Sequence, residues 1–205
     1  GKGVSIVVGD IIDAPGPVIT TSSRADNLAM TMDLRKKPLP GQTENRPVAI
    51  FDPQGISGQS TTFKWSPITG CEKPQVANQR ATSLISSTGL DENSNNSEWA
   101  APAITIMECL LHAAALGNKT VDDLMVWGNS EAEAKAAVRI LKSEEKTGRA
   151  AIGWAESLES IINQDPRMRG NQWFGVRNAV KGLAVPNVRD ALKPQSQAET
   201  FDIDE

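Results

Sequence analysis

Two hydrophobic periodicities divide this chain. As far as about residue 68, short β-branched runs alternate with turn residues; from about residue 74, apolar residues recur every three or four positions. In the first stretch the pattern predicts a helix after Lys2, then a strand over 18–21 (VITT) behind Gly16-Pro17. A helix over 24–35 follows, carrying Leu28, Met32 and Leu34 and closed by Pro38 and Pro40-Gly41. A second strand is expected over 48–51 (VAIF), stopped by Asp52-Pro53, and a third over 61–65, stopped by Ser66-Pro67. A Gly/Ser-rich loop over 54–60 lies between them. Helix, strand, helix, strand is the alternation of an α/β layer with parallel strands.

The second stretch predicts helices throughout. The first covers 75–87, with Val76, Ala77, Leu84 and Ile85. After a polar Asn/Ser-rich loop over 91–97, residues 99–116 place Trp99, Ala103, Ile106, Met107, Leu110 and Ala114 on one wide apolar face, ended by Gly117-Asn118. Thr120 with Asp123 forms a capping box for a short helix to Trp127, and Ser130 with Glu133 forms another for a helix to Lys142. Helices over 149–162 and 166–181 complete the set, the last carrying Trp173, Phe174, Val176 and Val180. Gly182 and Pro186 break it, a turn with Val188 and Leu192 follows, and 195–205 is polar and acidic. The expected fold class is therefore α/β plus all-α: a partial layer at 1–70, an all-helical domain at 71–194, and a linker or return segment at 195–205.

Composition narrows the function classes. A net charge of −4 gives no global attraction to nucleic acid, so any such contact must come from a local basic surface. No apolar stretch in the sequence approaches the roughly 20 residues of a membrane span, and the start lacks a signal-peptide pattern. The two cysteines, Cys71 and Cys109, are too few for a disulfide scaffold and point to a reducing, cytoplasmic setting.

Candidate chemistry is sparse. The sole histidine, His112, lies one turn after Glu108, a spacing that suits a surface ion pair or a partly buried polar side chain better than a metal site. The closing residues Phe201-Asp202-Ile203-Asp204-Glu205 lack the apolar strand a Mg²⁺-holding motif needs before its acids, and read as a solvated segment. Arg167, Arg169, Arg177, Lys181, Arg189 and Lys193 make the C-terminal third basic, with Trp173 and Phe174 among them. Cations beside aromatics suit single-stranded DNA, by phosphate pairing and base stacking, with Arg167, Arg169, Trp173, Arg177 and Lys181 as the candidate contacts; an amphipathic helix with its aromatics in the core is the alternative. At the other end, Gly1-Lys2-Gly3 before the run Val4 to Val8 matches the end of a P-loop, in which backbone N–H groups and a Lys hold nucleotide phosphates. A flexible terminus is the reading without chemistry.

Together these segments resemble the conjugative coupling proteins of type IV secretion systems, most closely their actinobacterial branch. The resemblance runs from GKGVSIVV through GPVITTSSRADNLAMTMDLRKK, VAIFDPQGISG and TFKWSPITGCEKP to SEWAAPAITIMECLLHAAAL. It covers most of the chain, and the order of segments carries it more than any one motif. A P-loop with Gly after the Lys is expected in that family. At the end of that family's second strand, matched here by 18–21, many members have an acidic residue and Lys or Gly, where this chain has Thr21-Ser22-Ser23-Arg24. The resemblance implies a fragment of an ATP-driven translocase that forms a homo-oligomeric ring at the cytoplasmic face of the cell membrane. It implies ATP and Mg²⁺ as the whole protein's cofactors, with Gly1, Lys2 and Gly3 at the nucleotide. The implied partners are a relaxase or relaxosome accessory protein, secreted protein substrates, single-stranded DNA and the secretion channel. The helical domain would recognise cargo, and the fragment would bind rather than hydrolyse. A DNA-pump ATPase of the FtsK/HerA kind and a non-enzymatic helical adaptor are the alternatives.

Overall fold

The longest helix organises the larger part of the molecule because it is apolar nearly all round. In the computed structural model, which describes residues 6–90 and 97–201, α4 (Ala100–Leu116) buries ten of its seventeen residues. A helix apolar on every side must be surrounded, and α4 is packed by α3 (Pro74–Ser86), α5 (Val121–Asn129), α6 (Lys135–Glu145), α7 (Trp154–Ile162) and α8 (Pro166–Val180). Each neighbour brings one apolar stripe: Ala77, Ala81 and Ile85 from α3, Leu124 and Trp127 from α5, Leu141 from α6, Leu158 from α7. With its preceding 3-10 turn the central helix, Ser97–Leu116, is 20 residues long with a mean hydropathy of 1.4, enough to cross a bilayer by length and composition. This corrects the expectation that no stretch approaches that length. Of its most apolar window 56% is buried inside the protein, which accounts for the hydropathy by core packing.

Local chemistry sets the helix ends. The expected capping box at Thr120 and Asp123 forms, with Thr120 Oγ1 accepting from the Asp122 N–H and Asp123 accepting from the Thr120 N–H. Ser130 Oγ accepts from the Glu133 N–H at 3.3 Å, but this capped turn only precedes α6, which begins at Lys135. The helix expected from 149 begins at Trp154, because Gly153 takes a left-handed φ of 81° that no helix interior tolerates.

His112 is fully buried on α4; of the two readings its spacing from Glu108 allowed, the surface ion pair is absent among the described residues and the polar side chain is buried entirely rather than in part. Its Nε2 accepts from the Ala151 N–H at 3.1 Å, which places the ring proton on Nδ1, 2.7 Å from the Cys71 carbonyl. The ring meets Trp154 edge-on, 5.1 Å between centroids. One imidazole thus ties three segments together. Glu108 turns instead to Asn78 on α3, 2.5 Å away.

The expected α/β layer is not there: the described residues contain no strand, and a RecA-like P-loop sheet is overturned. The chain divides into two compact units, Trp65–Pro194 being the helical body just described and Gly1–Lys64 with Gln195–Glu205 the other. In that other unit, α1 (Val8–Asp13) packs on α2 (Asp26–Lys36), and Arg35 donates to the Ala14 and Gly16 carbonyls at 2.8 Å. The runs at 18–21, 48–51 and 61–65 form no ladder. Ile19 is 82% exposed, and the run at 48–51 meets the one at 61–64 through a single backbone bond, Thr62 N–H to the Ile50 carbonyl. The neighbouring amides of Ile50 and Asp52 go to threonine hydroxyls instead. A β-branched run becomes a strand only when a partner edge offers a register of acceptors, and here side chains take that place. Between the runs, Ser57 Oγ and N–H and the Ile56 N–H converge on Asp52 and hold its carboxyl below its ordinary range. The chain leaves this unit at Lys64 and re-enters at Gln195, so the helical body is an insertion. Entry and exit are joined: the Lys64 N–H donates to the Glu199 carbonyl at 2.6 Å, and the Phe63 and Phe201 rings lie 5.5 Å apart.

Candidate nucleic-acid interface

The basic cluster named from the sequence centres on α8, whose fifteen residues include three arginines and no acid. Asp165 starts the helix, accepting from the Arg167 N–H at 2.9 Å and the Met168 N–H at 3.4 Å, with Pro166 at the first helical position. The buried face is fixed by close approach. A Cβ at Gly175 would lie 2.8 Å from Ala103 Cβ of α4, and one at Gly128 of α5 would lie 2.8 Å from Val180 of α8.

That packing sorts the candidates. Trp173 is fully buried and donates through Nε1 to the Gly128 carbonyl at 2.9 Å, so its ring is a core anchor and presents no face to a ligand. Arg169 donates to the Ile162 and Gln164 carbonyls at 3.0 and 3.1 Å, capping the end of α7. Arg177 pairs with Glu131. Of the five residues named, only Arg167 and Lys181 stay exposed with no ion pair among the described residues. Outside that set, Arg189 and Lys193 both reach Asp122.

Phase along the helix brings forward a residue not in the named set. Arg167, Asn171, Phe174, Asn178 and Lys181 are all exposed and recur at four- and three-residue spacing, one outward stripe that Met168 borders. Phe174 is 49% exposed between these two cations. An exposed ring stacks on a base, amides meet base edges, and flanking cations meet phosphates. The sequence signal was present in the period, but the adjacent Trp173 and Phe174 necessarily face different ways, and only packing shows which is outside.

Elsewhere the chemistry is quiet. Burial pushes the Cys109 thiol far above its ordinary value and raises Cys71 as well, so both are hydrogen-bonded apolar fillers. No group of three or more His, Cys, Asp or Glu side chains among the described residues is placed to share a metal ion. Gly1, Lys2 and Gly3, the expected nucleotide contacts, lie outside the described residues, as do the loop at 91–96 and the acids at 202–205. No protein-family model matches the chain, and neither a curated protein nor a solved structure does.

Proposed function

We propose that the chain is a cargo-recognition module of a coupling-type secretion motor, and that the helical body takes hold of a single nucleic-acid strand through the outer face of α8. The observation that carries the strand contact is the exposed Phe174 between Arg167 and Lys181, which make no ion pair among the described residues. What supports the motor reading is the order of the segments along the chain, together with the helical body standing as an insertion in a second unit. In this reading ATP and Mg²⁺ serve the motor as a whole, and the chain binds rather than hydrolyses.

The test is binding of labelled oligothymidylate over a salt series, followed by anisotropy, with and without a covalently attached relaxase. Affinity should fall linearly on a log–log salt plot, and Phe174→Ala should cost about 1–3 kcal/mol. Tighter binding of the relaxase-linked strand than of the bare strand supports the motor; equal binding leaves a plain strand-binding domain, and salt-independent or absent binding removes the strand contact. The lack of any strand among the described residues favours a second reading, a helical adaptor without nucleotide chemistry. ATP turnover by the chain that Lys2→Ala abolishes would exclude the adaptor, and also the expectation that the chain does not hydrolyse.

A further inference from the structure

A groove of about 260 Å³ lies between α6 and α7, lined by none of the exposed residues on the outer face of α8. Its two ends differ. At one, Lys142 is paired with Glu159 at 2.7 Å and also faces Glu156, so its charge is met within the protein. At the other, Lys135 and Arg139 stand exposed, one helical turn apart, with no acidic partner among the described residues. Between them the floor is apolar, made by Val138 and Ile162, which are 4% and 5% exposed. Asn163 closes the rim beside them.

The size and lining select the occupant. Sites for whole small ligands run to about 300–1,000 Å³, so this groove takes one or two side chains. The lining offers no aromatic ring for a base, unlike the outer face of α8. An apolar floor beside two uncompensated cations complements an aliphatic side chain flanked by carboxylates. We propose that this groove docks an acidic peptide segment of a protein partner, its carboxylates on Lys135 and Arg139 and an aliphatic side chain over Val138 and Ile162. The site goes beyond the strand-binding reading and does not rest on it, since it uses different helices.

The probe is a labelled peptide alternating leucine and glutamate, compared with its leucine–glutamine counterpart. The full chain should bind the acidic peptide about tenfold more tightly, and Arg139→Glu should abolish that preference. Phe174→Ala should leave peptide binding unchanged, and oligothymidylate should not displace the peptide. Lys135→Glu gives a second exposed variant, and an unaltered thermal transition shows that each is folded. Equal affinity for the two peptides, or a preference that survives both charge reversals, overturns the proposal. Displacement by oligothymidylate overturns it too, and assigns the groove to nucleic acid.

Discussion

At the scale of single residues, the polar groups inside the helical body matter most, because burial sets a cost on every unpaired or charged group there. His112 satisfies the Cys71 carbonyl and the Ala151 N–H with its two nitrogens. His112→Leu keeps most of the volume and leaves both groups unpaired, at about 1–3 kcal/mol each. Urea unfolding should therefore show a loss of about 2–6 kcal/mol, and a loss under about 0.5 kcal/mol would show that water replaces the ring. Glu108 works in the opposite direction. Burial raises its carboxyl above the ordinary 4.5, against the smaller lowering effect of the Asn78 hydrogen bond. The native state thus holds the proton more tightly than the unfolded chain, and native stability falls as pH rises from 4.5 through the native value. Glu108→Gln removes that dependence. It should melt with wild type at low pH and above it at pH 7. A variant that melts lower at pH 7 would mean that the hydrogen bond from Asn78 to the carboxylate outweighs the cost of burying the charge.

At the scale of elements, α8 shows how one helix carries two opposite glycine effects. Gly170 has open space where a Cβ would go, whereas Gly175 would drive a Cβ to 2.7 Å from Leu90 and 2.8 Å from Ala103. A helical glycine costs about 0.8–1 kcal/mol relative to alanine, while overpacking costs about 1–3 kcal/mol. Gly170→Ala should accordingly raise stability by up to about 1 kcal/mol. Gly175→Val should lower it by about 2–3 kcal/mol, because the Leu90 tip can move and the Ala103 Cβ cannot. Thermal melts of the pair check this: a neutral Gly175→Val would mean that α8 slides freely along α4. The same contact turns Trp173 inward and Phe174 outward, so it sets the candidate interface as well as the stability.

At the scale of the whole molecule, the two units differ in what they bury. In the unit formed by Gly1–Lys64 and Gln195–Glu205, the buried side chains among the described residues are Ile11 and Thr31 alone, while the helical body owns the extended core. Local opening follows buried apolar contact, so hydrogen exchange should be slow in α4 and α8 and fast over 48–64. Strong protection over 48–64 would mean a ladder that the hydrogen bonds do not contain. The sequence by itself determined the helical body: α3 to α8 follow from apolar periodicity, and the Thr120 box from two side chains, because a helix satisfies its own backbone within a few residues. It also located the basic segment. Only the tertiary structure decided that VITT and VAIF form no sheet, that His112 belongs to the core, and that Phe174 rather than Trp173 faces outward. A strand needs a partner's backbone, a buried histidine needs distant donors and acceptors, and a helix face is inside only when something packs on it; none of these is local in sequence.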